Sequence, residues 1–144
     1  MRTFKDNADR DWTLAVNVQS LKRVKDLLAV DLTRLNEGDP PLITRLSTDV
    51  ILICDVIYAI VKLEADAKQV TDEEFGRGMG GDGLSSAYRA FTEELADFFQ
   101  KLGRTDLAQV VTTQNRMVEA AVSATRQKIE AIDLEALIAQ TFGD

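Results

Sequence analysis

The sequence predicts a mainly α-helical fold: a helical bundle around a central apolar helix (about residues 49–67), with a small N-terminal β-hairpin and a long C-terminal helix. Three observations carry this reading. Asp49–Val61 (DVILICDVIYAIV) holds eleven apolar residues out of thirteen, and a helix apolar nearly all round belongs inside a core or a bilayer. Lys62, Glu64 and Asp66 end the run short of the roughly 20 residues a bilayer span needs, so it is expected to be a core element. Two other stretches repeat apolar residues at helical spacing, Val18–Leu21–Val24–Leu28 and Leu84–Tyr88–Phe91–Leu95–Phe98–Phe99. The first sixteen residues instead carry aromatic and β-branched runs around a polar centre.

In chain order, Thr3–Lys5 and Trp12–Val16 flank the turn-forming Asp6–Asp11 and read as the hairpin. Strands alternate with period 2, so Phe4, Trp12, Leu14 and Val16 share or neighbour one face. A lone two-stranded hairpin is marginal in water, so it is expected to pack on helices or to pair with another chain. Asn17 is placed to cap a helix whose outer face carries Lys22, Arg23, Lys25 and Asp26. Val30–Leu35 is compatible with either a continued helix or an extended run, and Asn36–Pro41 breaks both.

Leu42–Leu46 forms a short helix, and Ser47–Thr48–Asp49 supplies the cap for the central one. Val70–Phe75 contains a capping box, Thr71 with Glu74, and a hydrophobic staple, Val70 with Phe75. That short helix frays at Gly76, Gly78, Gly80 and Gly81, and Asp82 is expected to cap the aromatic helix that Gly103 ends. From Thr105 a long helical segment runs through Leu107–Ile132 and on through Leu134–Phe142, with a sparse stripe diluted by Thr, Asn, Gln and Ser. Residues 1–102 therefore read as a hairpin-plus-helical core domain, and 103–144 as a C-terminal helical extension.

Composition limits the chemistry. The chain has 144 residues, 45% hydrophobic and 28% charged, which suits one globular domain. A net charge of −7 opposes binding to a phosphate backbone, so no nucleic-acid partner and no membrane partner is expected. The N-terminus lacks an apolar signal region, which points to the cell interior. Histidine is absent, removing the commonest general base and zinc ligand. The single cysteine, Cys54, lies within the apolar run and reads as a small buried hydrophobe.

Gly78–Gly83 matches G-x-G-x-x-G by letter, but a capped helix precedes it and no βαβ pattern surrounds it. It reads as a loop between helices, with a possible second role as a hinge. The acidic sets Asp6–Asp9–Asp11 and Asp72–Glu73–Glu74 lack calcium-loop spacing. Turn chemistry and helix-start charge account for them. Asp55, inside the apolar run, either pairs with Lys22, Arg45 or Arg89 or faces a wet stripe. No catalytic, cofactor or metal residues are assigned, and no enzymatic activity is expected.

The opening Thr3–Leu14, the helix holding Leu21–Leu28, the long apolar helix, the Thr71–Phe75 start and the aromatic helix near residue 95 follow one another in an order that resembles the tail assembly chaperones of tailed bacteriophages and prophages. The resemblance covers about residues 1–102 and contains no catalytic signature. It implies a non-enzymatic protein in the bacterial host cytoplasm that binds the tape-measure protein and keeps its apolar helices soluble until tail-tube protein assembles. It also implies that a C-terminal extension, here 103–144, contacts tube protein. The residues expected to contact partners are Phe4 and Trp12 on the hairpin, Tyr88 and Phe91 beside the glycine loop, and Met117 and Val118 on the last helix. The alternative is a self-associating structural component of a phage tail or virion, a homo-oligomer paired through the hairpin edge.

Overall fold

The hairpin is the part that locks the helices to one another. The computed structural model describes the backbone of residues 1–142 and the side chains of residues 1–132. Strands β1 (Arg2–Lys5) and β2 (Asp11–Leu14) pair antiparallel with Phe4 opposite Trp12. Helices α1 (Val18–Leu28), α2 (Leu42–Thr48), α3 (Val50–Ala67), α4 (Asp72–Arg77), α5 (Gly81–Leu102) and α6 (Thr105–Phe142) follow. The fold is mainly α with this one small hairpin, as the patterning predicts.

Local chemistry sets the element ends. Asn17 caps α1, its side chain accepting from the Ser20 N–H while the Ser20 hydroxyl accepts from the Asn17 N–H, each at 2.9 Å. Ala29 closes α1 in the left-handed region at φ 56°. Asp49 caps α3 through the Leu52 N–H, and Thr71 caps α4 through the Glu74 N–H. Val70 and Phe75 are both buried, as a staple requires. The Val30–Leu35 stretch is neither helix nor strand; its turns place Leu32 and Leu35 in the core.

α3 supplies the centre of the core through Ile53, Val56, Ile57, Ala59, Ile60, Val61 and Ala65. Its burial is nevertheless one-sided at both ends: Val50, Ile51 and Leu63 are 62%, 75% and 66% exposed. This corrects the expectation that no face of the apolar run meets water, because α1, α2, α5 and the hairpin cover only part of its circumference. Val18 likewise stands exposed at the first turn of α1 and contributes nothing to the stripe. Arg23 does not point outward but donates to the Ala59 and Ile60 carbonyls of α3. The core continues past Gly103, since Leu107, Ala108 and Val111 of α6 belong to the same buried cluster.

Asp6, with a fully buried side chain, is the polar hub of the hairpin turn. Its oxygens accept from the Trp12 indole N–H at 2.9 Å, the Arg10 Nε at 2.8 Å, and the Ala8 and Arg10 backbone N–H groups. Burial works to raise its pKa, but these donors outweigh burial and hold it below the ordinary carboxylate range. Arg10 also donates to the Glu74 carbonyl, and the Asn7 N–H to the Gly78 carbonyl. Across the gap, Asn7 Oδ1 accepts the Gly83 N–H at 2.8 Å. Asn7 therefore supplies from a distance the cap that Asp82 was expected to give; α5 begins at Gly81, with Gly80 in the N-cap position and no side-chain cap of its own.

The glycines consequently have a packing role. A Cβ on Gly78 would lie 3.0 Å from Asp6 Oδ2, and one on Gly83 would lie 2.7 Å from the Gly78 carbonyl oxygen. The glycine loop is the seat of the hairpin turn.

Asp55 lies on the half-exposed side of α3, and among the described residues no ion pair joins it to Lys22, Arg45 or Arg89. Burial, then the charges of Asp72 and Asp49, raise its pKa. A raised folded-state pKa means that the charged form opposes folding, so stability falls as pH climbs from the unfolded value through the folded one. Asp55→Asn is expected to give a small rise in Tm at pH 7 and no change at pH 3, where the carboxyl is protonated in both states; melting curves at the two pH values check this. Burial, with Asp55 and Asp72 alongside, pushes the Cys54 thiol up to about 11, which leaves it protonated and unreactive at neutral pH.

Candidate functional site

Three of the six residues singled out in the sequence are core. Phe4 is 5% exposed, Trp12 0% and Phe91 1%. Trp12 packs edge-on against Phe75 with ring centroids 5.2 Å apart, and Lys68 lies over its other side. The hairpin face that carries Phe4 and Trp12 closes the helical core and offers no recognition surface. The reason is amphipathic matching: the period-2 apolar face of the hairpin meets the open flank of α3 and α5.

Of the other three, Tyr88 and Val118 line one groove, whereas Met117 is 61% exposed and outside its lining. The turn at Gly103 folds α6 back antiparallel along α5, which sets residue 115 opposite residue 88. The Tyr88 hydroxyl donates to Asn115 Oδ1 at 3.1 Å, and its half-burial raises the phenol pKa. Gln114 Nε2 donates to the Ser47 hydroxyl at 2.9 Å and ties α6 to the end of α2. One turn further along α6, half-buried Val118 lines the groove.

Two connected recesses meet at Tyr88 and Val118. One, of about 240 Å³, is mostly apolar and is lined by Leu46, Val50, Ile53, Leu84, Tyr88 and Val118. The other, of about 480 Å³, runs between α5 and α6 past Thr92, Asn115, Glu119, Val122 and Arg126. Two of the lining side chains are apolar and exposed, Val50 on α3 and Val122 (52% exposed) on α6. Contiguous apolar surface rimmed by polar groups marks an interaction site.

Sequence reasoning missed Leu46, Val50 and Leu84 as members of this surface. The signal was present in the first turn of the apolar helix, which sits beyond the reach of a short preceding helix, but an all-round apolar run does not say which end is uncovered.

A different cleft, near the chain start, is polar. There Arg2 donates to Glu93, Glu94 and Asp97 of α5 at 2.8–2.9 Å, fastening β1 to that helix. Among the described residues, no group of three or more His, Cys, Asp or Glu side chains is arranged to hold a metal ion. No described helix is long and apolar enough to cross a membrane. No family model, curated protein or solved structure matches the chain.

Proposed function

We propose that this chain is a non-enzymatic binding protein of the phage tail assembly chaperone kind, which holds an apolar helix of a tape-measure-like protein in the Tyr88–Val118 groove. The observation that supports this reading is the groove itself, a mostly apolar recess whose lining includes exposed Val50. An amphipathic helix docks by laying anchors spaced i, i+3, i+4 and i+7 into such a groove. Exposed Met117, next to Val118 in sequence, is a flexible apolar side chain of the kind that adapts to varied partners. The acidic balance of the chain keeps it dispersed while the groove stays open. On this reading it acts in the bacterial cytoplasm, and the α6 extension is the part available to tail-tube protein.

Self-association through the hairpin edge, the rival reading, has less to support it. The outer edge of β2 is already occupied, because the Thr13 N–H donates to Glu64 Oε1 at 2.8 Å and Lys68 Nζ donates to the Asp11 carbonyl. An edge whose groups are taken is a poor template for a second strand. Catalysis by carboxylates alone would need paired acids in one recess, one of them with a raised pKa; Glu93 and Glu119 line the larger recess, but Asp55, whose pKa is raised, lies outside it.

Co-expression with the large helical tail protein encoded beside this chain tests the proposal. The expected result is a several-fold gain in that protein's soluble yield, lost with Val50→Asp and Val118→Asp, which keep native helix content. Equal yields with and without the chain would refute it.

A further inference from the structure

The face of α6 that packs on the body does not stop where the body stops. Leu107, Ala108 and Val111 are buried against α2 and α5, and Val118 lines the groove. At 100° per residue, Val111, Val118, Val122, Thr125, Ile129 and Ile132 all fall within an arc of about 80°. The outer four continue the packed face uncovered, with Val122, Ile129 and Ile132 52–60% exposed. Their spacing, from 108 through 111, 115, 118, 122, 125, 129 and 132, alternates three and four residues, the a/d pattern of a coiled-coil seam. Ala136 and Ala139 extend it in sequence.

Charges beside the seam select the occupant. With Ile129 at a and Ile132 at d, Arg126 and Asp133 fall at e, and Lys128 and Glu135 at g. Antiparallel coils set e against e and g against g. In the register that places Ile129 opposite Ile132 of a second copy, Arg126 meets Asp133 and Lys128 meets Glu135, each twice, with no like charges opposed. Sliding the pair one heptad toward the N-terminus opposes Arg126 to Arg126, Lys128 to Lys128 and Glu119 to Asp133. Sliding it the other way opposes Asp133 to Asp133 and Glu135 to Glu135. A parallel pair gains only the two Lys128–Asp133 contacts.

We propose that residues 122–139 of α6 pair with the same segment of a second copy of this chain as an antiparallel two-stranded coiled coil, with Ile129 of each copy against Ile132 of the other. The pairing abuts the Tyr88 groove, whose larger recess is lined in part by Val122 and Arg126. It sets two such grooves on a common rod, so a dimer presents both to one long partner.

Sedimentation of the full chain at micromolar concentration is expected to show a dimer. Arg126→Glu with Lys128→Glu, and separately Asp133→Lys with Glu135→Lys, are each expected to be monomeric alone and to dimerise when mixed. In a Cys54→Ser background, Val122→Cys and Ala139→Cys chains are expected to form a mixed disulfide with each other and none alone. A wild-type monomer, charge-reversed variants that dimerise unmixed, or self-linking Val122→Cys would each overturn the proposal.

Discussion

Replacing Asp6 with alanine is expected to lower stability by about 3 kcal/mol, or roughly 10 °C in Tm for a chain of this size. The side chain is fully buried and accepts from the Trp12 indole, the Arg10 guanidinium and two backbone N–H groups. Each donor loses its acceptor at once, and the Trp12 N–H, fully buried, has no water to turn to. Trp12→Phe removes one donor and keeps the carboxylate with its others, so it is expected to cost clearly less in urea unfolding followed by circular dichroism. A loss from Asp6→Ala below about 1 kcal/mol, the scale of one ordinary hydrogen bond, would mean that the hairpin turn does not anchor the helices.

The second large effect is a reversal of sign between two glycines at the start of α5. Helix propensity alone favours alanine over glycine by up to about 1 kcal/mol. A Cβ on Gly81 meets nothing within 4 Å, so Gly81→Ala is expected to be neutral or stabilising. A Cβ on Gly83 would lie 2.6 Å from Asn7 Oδ1 and 2.7 Å from the Gly78 carbonyl oxygen. Gly83→Ala is therefore expected to destabilise by about 1–3 kcal/mol, the usual cost of overpacking. Combining it with Asn7→Ala relieves the side-chain clash but not the backbone one, so the double variant stays below wild type. Denaturant titrations of the four proteins decide this; a stabilising Gly83→Ala would show that the turn does not seat on the glycine loop.

These two predictions rest on contacts that the sequence did not disclose, and the reason is physical. Periodicity reports which residues share a face, so the helices, the hairpin and the long last helix were legible. Caps formed within a few residues were legible too: Asn17, Asp49 and Thr71 each accept from an N–H three residues on. The Asn7 cap on Gly83 spans 76 residues, and no local pattern encodes it. Asp6 looked like ordinary turn chemistry because its type fits a turn, whereas its importance comes from the Trp12 and Arg10 that converge on it.

The candidate site was half legible for a related reason. Aromatic residues at a hairpin serve equally as interface or as core cover, and only the packing shows that Phe4 and Trp12 are cover. Tyr88 and Val118 were found because they stand on amphipathic stripes, but their meeting across the Gly103 turn depends on how α6 folds back. Val50 was hidden by its own apolarity, since a residue expected inside gives no sign of being left out.

The most direct test of the groove as the binding surface is hydrogen exchange of the full chain, alone and in complex with the large helical tail protein. The account predicts slower exchange in the complex at 46–54, 84–92 and 114–122, the segments that line the groove, with the hairpin unchanged. Protection confined to residues 2–14, or no change in the three groove segments, would contradict it.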